Sequence, residues 1–478
     1  MNGSPILFAI AALLPWIAGT QAASLLLRGP GPGPGHSALA IGFGYPLGML
    51  IVILVVLAWH AAGLQLAPVP LLFTLGCLNV VMGLAMKYAQ VRCVSAPPTV
   101  TSGRLGLLVS FVLVGFIVLR LGTLALELLS RPLFAWDAWM NWAPKAMVWF
   151  NEQRLTPFVS PQDWLEAPPD SGVFTLGNRQ ASEYPPGVPI IMLWHMLALG
   201  SSMSSWVFIP WVLLPLSLAL ACWGTLRVMD ASPVIAATGA YLLISTPFLN
   251  VHSALAGYAD LWLAAYFGLG IIALYQWQTT RRSGFIVLLL LFAAGAILVK
   301  VPGLVFAALV LGLLLARLPG WSARAWFTLI GGAIALLLLA LTVGITLPLL
   351  GGSMLAIRHD ALTVPYLGTL ELGMHPLGPI LARTMLVAAN WHLFWPALLL
   401  ALVARGYREG VTLLADPIVQ SLAIGAGLLC FVFGFTDYFK EAENLVTLNR
   451  TLLYLLLPGI LLITKELDEW ARHKRVAE

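Results

Sequence analysis

Long apolar runs are the feature that most constrains what this chain can fold into. Of its 478 residues, 60% are hydrophobic and only 9% are charged, and the mean hydropathy is +0.91. A soluble domain carries about 25% charged residues. A soluble fold cannot bury this much apolar surface, whereas a helical membrane protein requires runs of about 20 apolar residues. The sequence therefore predicts an all-α polytopic membrane protein.

The basic residues lie mainly in short loops between the apolar runs. The net charge is +5, but this placement favours a role in membrane orientation over nucleic-acid binding, so no nucleic acid is expected as a partner. No cleavable signal peptide is expected, because the N-terminus lacks a basic region and the first apolar run is long enough to stay as a span. The cysteines lack metal-type spacing and are interpreted as structural and unpaired. They are Cys77, Cys93, Cys222 and Cys430.

About 13 transmembrane helices are predicted, with extracytoplasmic loops and juxtamembrane helices between them. Residues 1–104 hold three N-terminal spans, residues 105–465 hold the remaining ten, and residues 466–478 form a basic cytoplasmic tail. The predicted spans are about 5–27, 38–60, 66–88, 105–129, 205–226, 232–250, 260–277, the two arms of a hairpin over 285–317, 326–350, 386–404, 414–435 and 450–464.

Two apolar stretches decide the orientation. Residues 188–199 are too short to cross a bilayer, so they are expected to lie along the membrane or dip into it. Residues 285–317 would be about 50 Å long as one helix, which is too long for a bilayer, so a tight hairpin at Lys300, Pro302 and Gly303 is predicted. With both choices the basic clusters fall on one side, the cytoplasmic side, and the N-terminus lies outside.

The outer loop 130–186 is the largest polar insertion, and it opens with Phe134-Ala-Trp-Asp-Ala-Trp-Met-Asn-Trp-Ala-Pro-Lys145. Asp137 lies there between Trp136 and Trp139, just beyond an apolar run. An aromatic belt with a solvated acid would explain this segment alone. Asp260 as a helix cap, Lys300 as a snorkelling lysine and Arg450 as an interfacial anchor likewise need no function. The predicted topology, however, brings these and other polar residues to one outer cavity, which suits an enzyme acting on a lipid-linked anion. Those other residues are Lys145, Glu183, Tyr184 and His252.

Five local patterns together resemble the GT-C superfamily of polyprenyl-phosphate-dependent glycosyltransferases. They are an acid in the first large outer loop, Tyr184-Pro-Pro before the next membrane segment, Gly257-Tyr-Ala-Asp260 opening a later span, Lys300 at a Pro-Gly hairpin, and Arg450 opening the last span. Protein O-mannosyltransferases, the aminoarabinose transferase of lipid A and the oligosaccharyltransferase catalytic subunit belong to this superfamily. The similarity covers roughly 105–465, and His252-Ser-Ala-Leu-Ala-Gly-Tyr-Ala-Asp260 is its closest local match. Three extra N-terminal spans, and Ala-Trp instead of a second acid after Asp137, depart from the pattern.

The resemblance implies transfer of a sugar from a polyprenyl-phosphate donor to a glycan, lipid or protein acceptor, with membrane lipids around the protein. Asp137 would be the general base, and Lys300 and Arg450 would bind the phosphate. Asp260 would orient the donor or share a divalent cation, Mg or Mn, with Asp137. Other substrate-binding candidates are Tyr184, Glu183, Trp139, Trp142, Lys145 and His252. The expected location is a bacterial inner (plasma) membrane, with the site facing the periplasm or exterior.

Three alternatives stay open at this stage. A transporter or a flippase of lipid-linked sugars would keep ionisable residues near the bilayer midplane and often shows repeated halves. A glycan ligase or polymerase would share the outer cavity but usually has its large outer loop late in the chain. A purely structural membrane subunit would not need Asp137, Lys300 and Arg450 on one side.

Overall fold

The structure is a computed structural model that describes residues 5–28, 34–91, 103–318, 335, 339, 342–348, 354–358, 360–364 and 368–477. It is mostly helical. Seven helical segments are long and apolar enough to cross a membrane, and there are eight if one bent helix pair counts as a single span. These segments are Pro5–Leu26, His36–Ala61, Pro68–Tyr88, Arg104–Ser130, Ser205–Val228, Pro417–Phe435 and Val446–His473, with the bent pair Pro233–Ser245 and Pro247–Ala254. The predicted helical membrane class is confirmed.

The helices are numbered in chain order. The first eleven are α1 (Pro5–Leu26), α2 (His36–Ala61), α3 (Pro68–Tyr88), α4 (Arg104–Ser130), α5 (Ala143–Glu152), α6 (Pro161–Glu166), α7 (Gly187–Leu199), α8 (Pro210–Val228), α9 (Pro233–Ser245), α10 (Pro247–Ala254) and α11 (Asp260–Thr280). The next eight are α12 (Ser283–Val299), α13 (Gly303–Leu315), α14 (Leu377–Ala382), α15 (Phe394–Glu409), α16 (Pro417–Phe435), α17 (Phe439–Glu443), α18 (Val446–Leu452) and α19 (Leu456–Ala477). Short π and 3₁₀ segments adjoin several of them, including the π-helix Ala138–Trp142 and the 3₁₀ turn Arg179–Glu183.

The N-terminal helices pack closely because small residues face each other across them. A Cβ atom added at Gly19 of α1 would lie 1.9 Å from the Gly44 carbonyl oxygen of α2. On its other side, α2 meets α8, where a Cβ at Gly42 would lie 2.2 Å from the Ala221 nitrogen. Such close backbone approach is the usual packing mode of helices in lipid. The division at residue 104 stays a prediction, although α2 lies directly against the helices that follow.

The predicted hairpin over 285–317 is present as α12 and α13, which pack together and are joined by a turn at Lys300–Pro302. The turn is tight because Gly303 lies against α12, where an added Cβ would be 1.9 Å from the Ala296 carbonyl oxygen. The stretch expected not to cross forms α7, whose 13 residues are all buried.

Strands add to the predicted helical architecture. β1 (Phe158–Val159) and β2 (Phe174–Thr175) pair in parallel within the outer loop. An antiparallel sheet follows in the order β3 (Ile345–Pro348), β4 (Met354–Ile357), β5 (Ala361–Val364) and β6 (Gly368–Glu371). Most of the predicted span 326–350 lies outside the described residues, and its described end is β3 rather than helix. β6 is held to the α16–α17 connection because the Glu371 N–H donates to Asp437 Oδ1 at 3.1 Å.

The predicted C-terminal tail begins inside a helix, because α19 continues from the last span to Ala477. Its Glu466 is buried and lies 2.7 Å from Arg408 of α15. Arg405 of α15 also lies 2.7 Å from Asp416, the cap of α16. These ion pairs join the C-terminal end of α15 to the start of α16 and to the middle of α19.

We predict that Asp137 and Ser283 lie on opposite sides of the membrane. α11 separates the two ends, and its 21 residues span about 31 Å. In a cysteine-free background, Asp137→Cys should react with an impermeant thiol reagent added from outside, and Ser283→Cys should react only after permeabilisation. Ser171→Cys, at an exposed position in the outer loop, is the positive control. Labelling of Ser283→Cys in intact cells would contradict the predicted orientation.

Candidate functional site

The candidate site is a cavity of about 340 Å³ at the end of the helix bundle where α11 begins. The polar side is formed by the π-helix, the start of α11, the α12–α13 turn and the segment from α18 to Tyr454. A π-helix is rare and often occurs at functional sites. The polar residues that line the cavity are Asp137, Asn141, Asn178, Tyr184, Asp260, Lys300, Tyr438, Thr447, Arg450, Thr451 and Tyr454.

The first ion pair of the cavity joins Asp137 and Arg450. Arg450 Nη1 donates to Asp137 Oδ2 at 2.6 Å, and the two side chains are 18% and 21% exposed, respectively. Asn141 Nδ2 lies 3.5 Å from the other carboxylate oxygen, Oδ1, and Asn178 Nδ2 donates to Asn141 Oδ1 at 3.1 Å. The amide side chains of Asn141 and Asn178 therefore connect Asp137 to the outer loop.

The second ion pair joins Lys300 and Asp260. Lys300 Nζ lies 2.5 Å from Asp260 Oδ1, and the Tyr454 hydroxyl donates to the same oxygen at 2.8 Å. Asp260 is 1% exposed, and its Oδ2 has no hydrogen-bond partner among the described residues. The α12–α13 turn brings Lys300 to the first residue of α11. The two acids and two cations that the sequence singled out thus face one cavity.

The rest of the cavity lining is apolar. It includes residues of α13 and α16, Leu370 of β6, and two residues of the α12–α13 turn. The helix residues are Val305, Phe306, Leu428, Leu429, Val432 and Phe433, and the turn residues are Val301 and Pro302. The polar and apolar parts of the lining adjoin each other, since the ring centroids of Phe306 and Tyr454 are 4.9 Å apart. A ligand that fits this lining carries both an ionic group and a hydrocarbon part.

Tyr184 and Trp142 form an aromatic surface in the cavity. Their ring centroids are 5.1 Å apart in a stacked arrangement, and both residues line the cavity. Burial, and next the charge of Asp137, raise the pKa of the Tyr184 phenol. The phenol is therefore a neutral hydrogen-bonding group at the edge of an apolar face, the kind of surface on which a sugar ring can stack.

Lys145 lies behind the cavity rather than in its lining. Its Nζ donates to the carbonyl oxygens of Ser182 at 3.0 Å and Tyr184 at 3.1 Å, and the residue is 3% exposed. Burial lowers the pKa of this ammonium group to about 8. The contacts assign Lys145 to holding the Tyr184 segment, whereas the sequence predicted a residue that binds substrate.

Three other predicted residues also lie outside the cavity lining. His252 is fully enclosed between Phe248 and Tyr258, and its Nδ1 has no partner among the described residues. Glu183 is exposed. Trp139 packs edge-on against Trp136, which does line the cavity.

Sequence reasoning did not select Asn178, Tyr258 or Tyr454. Tyr258 lies within Gly257-Tyr-Ala-Asp260, so that pattern contained a signal for it. Asn178 follows β2 in the middle of a long loop, and Tyr454 lies inside an apolar run. Neither position differs in sequence from its neighbours in a way that marks a site.

The donor set does not fit the divalent cation that was considered for Asp137 and Asp260. Each carboxylate is already in an ion pair with a cation, Arg450 or Lys300. In the part of the chain that the structure describes, no group of three or more His, Cys, Asp or Glu side chains is placed to hold a metal ion.

Comparisons of the chain with protein-family models, with curated proteins and with solved structures found no match. The interpretation of the site therefore depends on its own geometry.

We predict that Lys145→Met loosens the Tyr184 segment. The substitution keeps much of the side-chain volume but leaves two carbonyl groups without their donor, at about 1–3 kcal/mol for each one that stays buried. Amide hydrogen exchange in 181–184 should accelerate, and the unfolding temperature in detergent should fall. Lys440→Met, which changes an exposed lysine of α17, is the matched control. Unchanged exchange in 181–184 would show that the two Lys145 hydrogen bonds do not stabilise this segment.

Proposed function

We propose that this protein is an integral membrane glycosyltransferase that moves a sugar from a polyprenyl-phosphate donor to an acceptor at the extracytoplasmic face. The observation that carries the proposal is one cavity that is lined both by two ion pairs and by apolar side chains of α13 and α16. A lipid phosphate combines both features in one molecule. The ion pairs would bind its head group, and the apolar side chains would contact the first part of its tail.

The cations would serve the leaving group. As the bond between the anomeric carbon and the phosphate oxygen breaks, that oxygen takes the bonding electron pair and gains negative charge. Fixed cations in a water-poor cavity stabilise such a developing charge. Arg450 suits the phosphate because a guanidinium has several donors, so one nitrogen can hold Asp137 while another holds phosphate. Lys300 would act as a point charge on the other side.

Asp137 would act on the acceptor. Arg450 engages Asp137 Oδ2, and the other carboxylate oxygen, Oδ1, is 3.5 Å from Asn141 Nδ2. The acceptor hydroxyl would pass its proton to Asp137 as its oxygen forms the new bond to the anomeric carbon. Asp137 is favoured over Asp260 because its side chain is 21% exposed, whereas that of Asp260 is 1% exposed and already accepts from Lys300 and Tyr454. Tyr184 and Trp142 would supply the stacking surface for the sugar.

The finer architecture belongs to the same proposal. It comprises the GT-C arrangement with about 13 spans, in a bacterial inner membrane with the cavity facing the periplasm or exterior. The α12–α13 hairpin supports this arrangement, whereas α12 and α13 are shorter than the seven or eight candidate spans. A transporter or flippase is less favoured because the two halves of the chain show no obvious repeat, which that class often has. A ligase or polymerase would differ in acceptor and would use the same cavity.

We predict that Asp137→Asn abolishes most of the transfer and leaves donor binding intact. Asparagine keeps the size of the side chain but cannot accept the proton, so turnover should fall by about 10²–10⁴-fold. The measurement is sugar transfer by the purified protein with polyprenyl-phosphate sugars as donors. Asp170→Asn, an exposed acid of the same loop, is the matched control and should transfer at the wild-type rate. Near wild-type transfer by Asp137→Asn would remove it as the base.

We also predict that Lys300→Met and Arg450→Gln each weaken polyprenyl-phosphate binding by at least about tenfold. A charged hydrogen bond contributes about 1.5–3 kcal/mol. Lys440→Met is again the matched control, because it removes an exposed cation from the outer surface.

Lys300→Met also strands the buried Asp260 carboxylate, so the protein itself loses stability. The double variant Lys300→Met/Asp260→Asn removes that unpaired charge and should recover the unfolding temperature without recovering binding. Recovery of both would show that Lys300 only neutralises Asp260.

A further inference from the structure

Tyr258 occupies the α10–α11 connection behind the first ion pair. Its backbone is fixed by Gly257, which has φ +90° and packs so closely that an added Cβ would lie 2.6 Å from the Ala138 Cβ. A positive φ and this approach both favour glycine. The Tyr258 side chain is 4% exposed and does not line the cavity. It therefore cannot be explained as a residue that binds substrate directly.

The Tyr258 side chain contacts both members of the Asp137–Arg450 pair. The Arg450 guanidinium carbon lies 4.6 Å from the centre of the Tyr258 ring, within the range of a cation–π interaction. The phenol oxygen accepts from Arg450 Nη2 at 3.3 Å and from the backbone N–H of Asp137 at 3.4 Å. One side chain thus links the start of the π-helix, where Asp137 lies, to α18, which carries Arg450. These two elements are more than 300 residues apart in the chain.

We infer that Tyr258 is a positioning residue that orients Arg450 for donor binding and holds the Asp137 backbone beside it. The inference rests on the proposed function and adds to it a residue that acts through two others. The Tyr258 ring packs against one face of the Arg450 guanidinium, and Arg450 also lines the cavity. The remaining N–H groups of Arg450 can therefore donate to a ligand in the cavity. The phenol oxygen holds the start of the π-helix, so the Asp137 carboxylate stays in reach of Arg450.

The ring and the oxygen make separable contributions. The two hydrogen bonds to the oxygen are long, at 3.3 and 3.4 Å, whereas the guanidinium is well placed over the ring. Phenylalanine keeps the ring and loses the oxygen, and leucine loses both. Tyr258→Phe should therefore retain most of the function, and Tyr258→Leu should lose it.

The test measures polyprenyl-phosphate binding and thermal unfolding of the full chain in detergent, with each Tyr258 variant made in the wild-type and in the Arg450→Gln background. Tyr258→Leu should weaken binding about tenfold in the wild type and less than about twofold beside Arg450→Gln, because residues that act through one another are not additive. Tyr258→Phe should stay within about threefold of the wild type. The unfolding temperature should fall less on Tyr258→Leu when Arg450 is already replaced.

Tyr266→Leu is the matched control for the loss of a buried tyrosine ring. Tyr266 lies on α11, is 1% exposed and donates to the Pro46 carbonyl oxygen, away from the ion pair. It should lower the unfolding temperature equally in both backgrounds. Equal losses from Tyr258→Leu in the two backgrounds, in binding and in unfolding, would overturn the inference and leave Tyr258 as a packing residue.

The two measurements separate this inference from the proposed function. If the wild-type protein does not bind polyprenyl phosphate, the proposed function is wrong. The unfolding temperatures of the single and double variants then test the positioning role of Tyr258 without the binding data. A coupling between Tyr258 and Arg450 in the unfolding temperature would still support its positioning role, and additive effects would refute it.

Discussion

The pairing of buried charges is the constraint on which the cavity end of this structure depends, because most of the surrounding residues are hydrophobic. Removing one ion from water costs several kcal/mol, and only a close partner with further hydrogen bonds offsets that cost. Asp260 has 1% of its surface exposed and meets this condition through Lys300 and Tyr454. Asp260 begins α11, Lys300 lies in the α12–α13 turn, and Tyr454 lies in the segment between α18 and α19. Pairing Asp260 therefore fixes three separate parts of the bundle around one point.

The two ends of the bundle use ion pairs differently. At the end opposite the cavity, Arg405 and Arg408 of α15 meet Asp416 at the start of α16 and Glu466 and Glu469 in the middle of α19, and these contacts join the three helices. At the cavity, the ion pairs border an open volume that apolar residues also line. A buried pair is weak support for stability as such. The presence of two ion pairs in the lining of a cavity is therefore better explained by binding of a ligand than by a contribution to folding stability.

The sequence predicted which end of the helix bundle the polar residues occupy better than it predicted where their side chains point. Asp137, Asp260, Lys300 and Arg450 each lie where an apolar run ends, so run lengths and proline–glycine breaks were enough to bring them to one end. Lys145 and His252 lie at the same end but point into protein, because side-chain direction depends on packing that a run length does not encode. The β3–β6 sheet was missed for a similar reason. Its strands are four residues long, and their pairing depends on contacts outside each strand.

The two acids of the cavity differ in environment, and this difference assigns them different roles. Asp260 begins α11, is enclosed, and has one oxygen engaged by both Lys300 and Tyr454. Asp137 precedes a π-helix, is partly exposed, and is held by Arg450 through one oxygen only. Two carboxylates of one site that lie in different environments commonly have different chemical roles. Under the proposed function, Asp260 would anchor Lys300, and Asp137 would be the carboxylate that an incoming hydroxyl reaches.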